Sequence, residues 1–225
     1  MPKVPSAPPI ALVTISGPTC AGKSTLAKTL VERYPSAFVP VVTTTTRAPR
    51  PGEIDGRHYH FTSLSAFEKN IAEGKMVEYD QLLPGTYYGL ERQELLRIGR
   101  TGRIGVAVFT PAGIAPIRAA CASLGKRVVT VYVAARPAVL AARLLSRYRA
   151  DREDTVGHYA DRMLQMLATF SVWQPATYHV SEPDFGPDTL EAVLQRIHHS
   201  ISGENSSYTP ATHLRVDRRC VPQSR

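Results

Sequence analysis

The feature that most constrains this chain is a short run near its start, Gly17-Pro18-Thr19-Cys20-Ala21-Gly22-Lys23-Ser24, followed by Thr25. It matches G-x-x-x-x-G-K-[ST]. The two glycines let the backbone curl until its N–H groups point inward, which is the geometry that cradles phosphate oxygens. A helix that starts there adds its positive end. Lys23 supplies a point charge for the β- and γ-phosphates of a nucleoside triphosphate, and Ser24 offers a hydroxyl to the Mg²⁺ that accompanies it. At average composition the pattern arises by chance in roughly one chain of this length in a hundred. The context sets chance aside. Residues 11–16 are apolar and β-branched and read as a buried strand just before the loop. Residues 23–33 put Leu26, Leu30 and Val31 on one helical face just after it. Cys20 reads as a small loop residue.

Beyond the loop, strands and helices alternate. Residues 38–43, 104–110, 127–134 and 177–181 have strand character, with Arg127-Val128-Val129-Thr130-Val131-Tyr132-Val133-Ala134 the clearest. Helical spacing covers 111–124, 136–147, 155–171 and 189–200. Such β-α alternation predicts an α/β fold, a parallel sheet covered by helices on both faces. Residues 44–90 break the rhythm, with short alternating stretches (His58-Tyr59-His60-Phe61) and one small helix over 65–73, and read as an inserted substrate-binding subdomain. The expected organisation is a Pro-rich arm over 1–9, a main domain over 10–202 and a flexible basic tail over 203–225.

Composition narrows the function classes. The net charge is +8, but the basic residues are dispersed with no run of five or six, which favours a phosphorylated small molecule over nucleic acid as partner. No apolar run is long enough to span a membrane, and the first residues lack the apolar core of a signal peptide. The cysteines at 20, 121 and 220 form neither a metal pattern nor a disulfide framework, so a reducing, cytoplasmic setting is expected. Oligomeric state is not legible in the sequence.

The phosphate loop leaves the acceptor open, and the stretch Thr43-Thr44-Thr45-Thr46-Arg47-Ala48-Pro49-Arg50-Pro51-Gly52-Glu53-Ile54-Asp55-Gly56-Arg57-His58-Tyr59-His60-Phe61 addresses it. Two arginines three apart, held by prolines and a turn, suit a bidentate grip on a dianionic phosphate, or form a solvated basic loop. The stretch resembles the guanylate kinase family, whose members carry T-T-R-x-P-R-x-G-E-x-x-G-x-x-Y-x-F at this distance after the loop. Glu78 with Tyr87-Tyr88-Gly89 is similar to a second element of that family. The resemblance runs over about residues 11–200 and is strongest over 11–90. It implies a P-loop kinase fold with an acceptor-binding insert and a lid, here over 148–156, and transfer of phosphate from ATP to a nucleoside monophosphate. On this resemblance Arg47, Arg50, Tyr59 and Tyr88 hold the acceptor phosphate. Glu78 receives the guanine N1–H and amino group, Thr43 contacts the base, and Arg143, Arg147 and Arg162 close over the transferring group with Lys23. The acceptor's second phosphate pKa lies near about 6, so positioning and charge neutralisation suffice without a catalytic base.

The match is incomplete. Where the family usually carries D-x-D-x-Q-G, this chain reads Val108-Phe109-Thr110-Pro111-Ala112-Gly113, so Val108 and Thr110 stand at two aspartate positions. The lid is longer, a residue is inserted near Leu83-Pro84, and Ser181-Glu182-Pro183 replaces a late N-D pair. Lost hydrogen-bonding groups weaken discrimination between substrates. Three readings follow. The leading one is a kinase that converts GMP or dGMP to the diphosphate. A kinase of the same fold acting on another nucleotide or a phosphorylated ribose is favoured by the change at Thr110 and opposed by Glu78 with Tyr59 and Tyr88. A non-catalytic module that recognises a partner protein has no need of Lys23, Ser24 or Arg47.

Overall fold

The computed structural model describes residues 9–135, 137–150 and 178–181. Five strands form a parallel sheet: β1 (Ile10–Ser16), β2 (Phe38–Pro40), β7 (Ile104–Val108), β8 (Arg127–Ala134) and β9 (Tyr178–Ser181), in the order β2-β7-β1-β8-β9. β1 is the central strand, and Ala11 through Ser16 are all buried, as expected of a parallel strand covered on both faces. Helices α1 (Lys23–Arg33) and α5 (Pro137–Ala150) pack Leu26, Leu30 and Leu140 with Val13, Ile15, Phe38 and Val131 on one face. Helices α3 (Arg92–Thr101) and α4 (Pro111–Ser123) pack Leu95, Ile98, Ile117 and Cys121 with Leu12, Val39 and Phe109 on the other. Leu12 thus feeds one core while Val13 and Ile15 feed the other, which is the period-two logic of a strand.

The remaining strands form a second sheet. β3 (Thr43–Thr45), β4 (Tyr59–Phe61), β5 (Met76–Leu83) and β6 (Thr86–Glu91) lie in the order β4-β3-β6-β5, with helix α2 (Leu64–Ala72) against them. The β3–β4 pair is parallel and the others antiparallel. Ser63 caps α2, its hydroxyl accepting from Ala66 N–H. This sheet is the insert expected over 44–90, extended by a residue at each end.

Several expectations shift. Residues 38–43 are not one strand. β2 ends at Pro40 in the parallel sheet and β3 begins at Thr43 in the mixed one, because the chain crosses between sheets at Val41 and Val42. The strand expected over 104–110 stops at Val108, since Thr110 and Pro111 start α4. Helix α3 was not anticipated. Helix α5 runs on to Ala150, so the first residues of the expected lid are helical. Residues 1–8 of the arm, the tail and the helices expected over 155–171 and 189–200 lie outside the described residues.

Candidate active site

The glycine pattern of the first loop has a direct cause in packing. Gly17 adopts φ 138°, and a Cβ placed there would lie 2.1 Å from the Val133 carbonyl oxygen. Only glycine allows β8 to approach that closely. Gly22, at φ 95°, turns the chain into α1. Between them the Pro18 carbonyl accepts from Ala21 N–H at 3.3 Å and from Lys23 Nζ at 2.7 Å, which folds the lysine back over the loop. Thr19 is half-buried, Ala21 is buried, and Ser24 and Thr25 are exposed on the first turn of α1. Arg143, on α5, donates from a terminal guanidinium nitrogen to Cys20 O at 3.4 Å. One of the expected lid arginines therefore already lies against the phosphate loop.

Cys20 holds φ 64°, the left-handed region that a non-glycine residue occupies at a cost of about 1 kcal/mol. Its thiol is half-exposed, whereas burial pushes the Cys121 thiol up to about 11 and keeps it protonated and unreactive. Alkylation of Cys20 on a Cys220→Ser background is therefore expected to abolish ATP binding. Mg-ATP should slow the labelling, and Cys20→Gly should be immune without loss of thermal stability. Complete labelling with unchanged ATP affinity would place the thiol outside the cradle.

The acceptor side is built on β3, β4 and β6. The Arg47 guanidinium is fixed by three hydrogen bonds: Nε to Tyr88 OH at 3.1 Å, one terminal nitrogen to Ala48 O at 2.6 Å and the other to Glu53 Oε1 at 2.9 Å. A guanidinium has five N–H groups, so each terminal nitrogen keeps one to offer to a phosphate. Glu53 also accepts from Arg50 N–H at 2.7 Å and so holds the two arginine-bearing residues together. The hydrogen bond from Arg47 keeps the Glu53 carboxylate below its ordinary range, and the same bond raises Arg47. Tyr88 oxygen accepts from Arg47, which leaves its own hydrogen to donate elsewhere. The Tyr59 ring lies edge-on to Tyr88 at 5.8 Å and beneath Arg47, with Cζ 5.4 Å from the ring centroid. Burial raises the Tyr59 hydroxyl, so it remains a donor. Arg50 is exposed.

Three of the four consecutive threonines are structural. Thr44 donates to Glu91, Thr45 to Tyr87 O and Thr46 to Gly85 O. Thr43 makes no such side-chain bond among the described residues.

Glu78, on β5, reaches across to the parallel-sheet domain. A Cβ built on Gly113 would lie 2.7 Å from Glu78 Oε2. The carboxyl thus rests on the first turn of α4, in a space that exists because residue 113 has no side chain. Burial, and then the neighbouring Asp80, push Glu78 up to about 7, while a backbone hydrogen bond from Leu90 opposes them. Thr110 is the N-cap of α4 but its hydroxyl caps nothing. It follows β7 where the phosphate loop follows β1. Phe109 N–H donates to Ile15 O at 3.0 Å, so Thr110 and Gly17 sit at the same carboxyl edge of adjacent strands. That edge is where open α/β sheets bind ligands.

The structure thus places Lys23, Arg143 and the loop residues at one edge, brings Glu78 and Thr110 to the same edge, and joins Arg47, Tyr59 and Tyr88 in one cluster. Arg147 lies on α5 one turn beyond Arg143; its side chain and Arg162 are outside what the structure describes. Sequence reasoning missed the orienting part of Glu53 and the permissive part of Gly113. The spacing of Glu53 after the two arginines could have signalled the first.

A P-loop with its lysine at the carboxyl edge of a parallel sheet, together with an arginine-tyrosine cluster on an inserted sheet, defines a P-loop phosphotransferase of the nucleoside monophosphate kinase class. A family model for guanylate kinase matches residues 10–199. A guanylate kinase of Maricaulis maris is 33% identical over 187 residues, covering 83% of this chain and 82% of its own. One from Histophilus somni is 46% identical over 99 residues, covering 44% of this chain and 46% of its own. The crystal structure of guanylate kinase from Anaplasma phagocytophilum shares the fold, with a TM-score of 0.56 at 23% identity over 88% of this chain and 87% of that one. The chain belongs to the guanylate kinase family, and it is a nucleoside monophosphate kinase.

Proposed function

We propose that this chain transfers the γ-phosphate of ATP to the 5′-phosphate oxygen of GMP, and equally of dGMP, giving ADP and the nucleoside diphosphate. The observation that carries this reading is the Arg47 cluster: a guanidinium locked by Tyr88, Ala48 and Glu53 that still has one N–H on each terminal nitrogen. Such a preformed fork suits a phosphate dianion and loses little entropy on binding it. Glu78 supports a base with donors on its Watson–Crick edge. Lys23, with Arg143 and then Arg147 and Arg162 on either side of a lid over 148–156, neutralises charge on the transferring group. The reaction needs no general base, because the acceptor is already a dianion.

Mg²⁺ enters with ATP as its substrate complex. The exposed Ser24 hydroxyl at the start of α1 is a hard oxygen beside the loop, and no cluster of three acidic, histidine or cysteine side chains exists among the described residues. That donor set fits Mg²⁺, which keeps waters and phosphate oxygens as its other ligands. When bound, the ion offsets charge on the β- and γ-phosphates. No helix among the described residues is long and apolar enough to cross a membrane, and a cytoplasmic site of action is part of this proposal.

An ADP-release assay with Mg-ATP against a panel of ribo- and deoxyribonucleoside monophosphates tests the reading. Fast turnover with GMP and dGMP is the expected result. Turnover confined to another acceptor would move the site to a different nucleotide or a phosphorylated ribose, in line with Val108 and Thr110 at the aspartate positions. No turnover with any would overturn the catalytic assignment.

A further inference from the structure

The acceptor sheet joins the parallel-sheet domain through two backbone connections, Pro40 to Thr43 inbound and Glu91 to Arg92 outbound. Both converge on one buried carboxylate. Val41 N–H still pairs with Val106 O at 3.0 Å, just past the β2–β7 register. Val42, one residue on, is buried and belongs to neither sheet, so its N–H has no strand partner. Glu94, in the first turn of α3 just past the outbound connection, accepts that N–H on Oε1 at 2.7 Å. Glu94 is only 4% exposed. Its charge is met by Arg97 one turn further along, whose Nε donates to Oε2 and whose terminal nitrogen donates to Oε1, both at 2.7 Å. The same terminal nitrogen donates to Pro40 O at 2.8 Å. Side chains of the outbound helix therefore hold the inbound crossover from both sides of Val41.

We propose that Glu94 and Arg97 form a clamp on the pivot between the two sheets, and that both are positioning residues for phosphoryl transfer. Thr43 and Arg47 follow the clamped crossover directly, whereas Lys23 lies on the other side of it. The clamp thus sets the distance between the acceptor phosphate and the cradle while touching neither. A bidentate arginine-carboxylate pair is stiff because its two parallel bonds fix orientation as well as distance. A buried backbone N–H held by a carboxylate cannot slide without losing its partner. Misplacement on the ångström scale is enough to slow transfer, since reacting groups must be held near contact distance. The kinetic part of this inference rests on the proposed reaction.

The test pairs kinetics with amide hydrogen exchange in the full chain. Glu94→Ala is expected to speed exchange at the Val42 amide and to lower kcat with the favoured acceptor about tenfold, with ATP affinity within about twofold. Glu94→Gln, which keeps an acceptor for Val42 but loses the ion pair, and Arg97→Met should fall between native and Glu94→Ala. Faster exchange with kcat unchanged per folded molecule would make the pair merely structural and overturn the proposal. Unchanged exchange would overturn it as well. A native chain inactive toward GMP would sink the reading of the reaction alone, because exchange at Val42 reports the clamp without turnover.

Discussion

Lys23→Ala is expected to lower phosphoryl transfer by about 10³-fold while the fold survives. In the structure the ammonium rests on the neutral Pro18 carbonyl at 2.7 Å. The β- and γ-oxygens of ATP offer it charged acceptors instead, and a charge-assisted bond is about twice as strong as a neutral one. Negative charge shifts toward the β–γ bridge and the leaving ADP as the phosphoryl group departs, so this interaction strengthens toward the transition state. Its loss should therefore appear mainly in kcat. The stability cost is small by comparison. One partly buried side-chain hydrogen bond contributes about 1 kcal/mol, which in a chain of this size moves the unfolding midpoint by roughly 2–4 °C. Lys23→Arg is not a rescue, since a planar fork cannot replace a compact charge in a loop this tightly curled. Single-turnover rates alongside thermal unfolding would check this. Transfer within tenfold of native would remove Lys23 from the centre of the reaction.

The contrast between what the residues announced and what they concealed follows the range of the interactions. β8 spans 127–134 and α1 spans 23–33 as read from the sequence, because each is defined by local apolar periodicity. The loop from Gly17 to Ser24 was legible because its φ requirements are local too. Residues 38–43 look like one strand because period-two alternation does not say to which sheet a strand belongs. Only the partners do, β7 for Phe38–Pro40 and β4 with β6 for Thr43–Thr45. Helix α3 escaped because its polar residues look like a solvated linker. Its apolar face, Leu95 and Ile98, is meaningful only once Leu12 and Val39 are known to face it. Glu94 belongs to the same class. As a sequence letter it is an ordinary surface acid; against Val42, Arg97 and Pro40 it is a buried pivot. That Arg47, Tyr59 and Tyr88 come together was legible through the family motif, but the motif did not say that Glu53 orients Arg47 or that Gly113 makes room for Glu78.

Glu78 carries the other large expectation, and its two effects have opposite signs. Reading the N1–H and amino donors of guanine requires the carboxylate, whereas burial and Asp80 raise this group from near 4.5 to about 7. The acid form therefore prevails below about 7, and kcat/KM for GMP should rise with pH through that value and level off above it. The acceptor phosphate titrates near about 6 and adds its own limb. Glu78→Gln should erase the limb near 7, leave the one near 6, and lower kcat/KM at pH 8 about 10²-fold. For stability the sign runs the other way. Between the unfolded value near 4.5 and the folded value near 7, the folded chain holds a proton that the unfolded chain has released, so stability falls as pH rises through this window. The loss is on the order of 1–3 kcal/mol by pH 8. Glu78→Gln has no such loss and should unfold at a midpoint higher by about 4 °C at pH 8, with no gain at pH 4. Guanine donors stabilise the carboxylate, so GMP binding at pH 7 should release a fraction of a proton, visible as a buffer-dependent binding enthalpy. A pH-independent stability difference between the two proteins, or an enthalpy indifferent to buffer, would mean that Glu78 is already ionised and that its contact with α4 at Gly113 favours the anion more than burial opposes it.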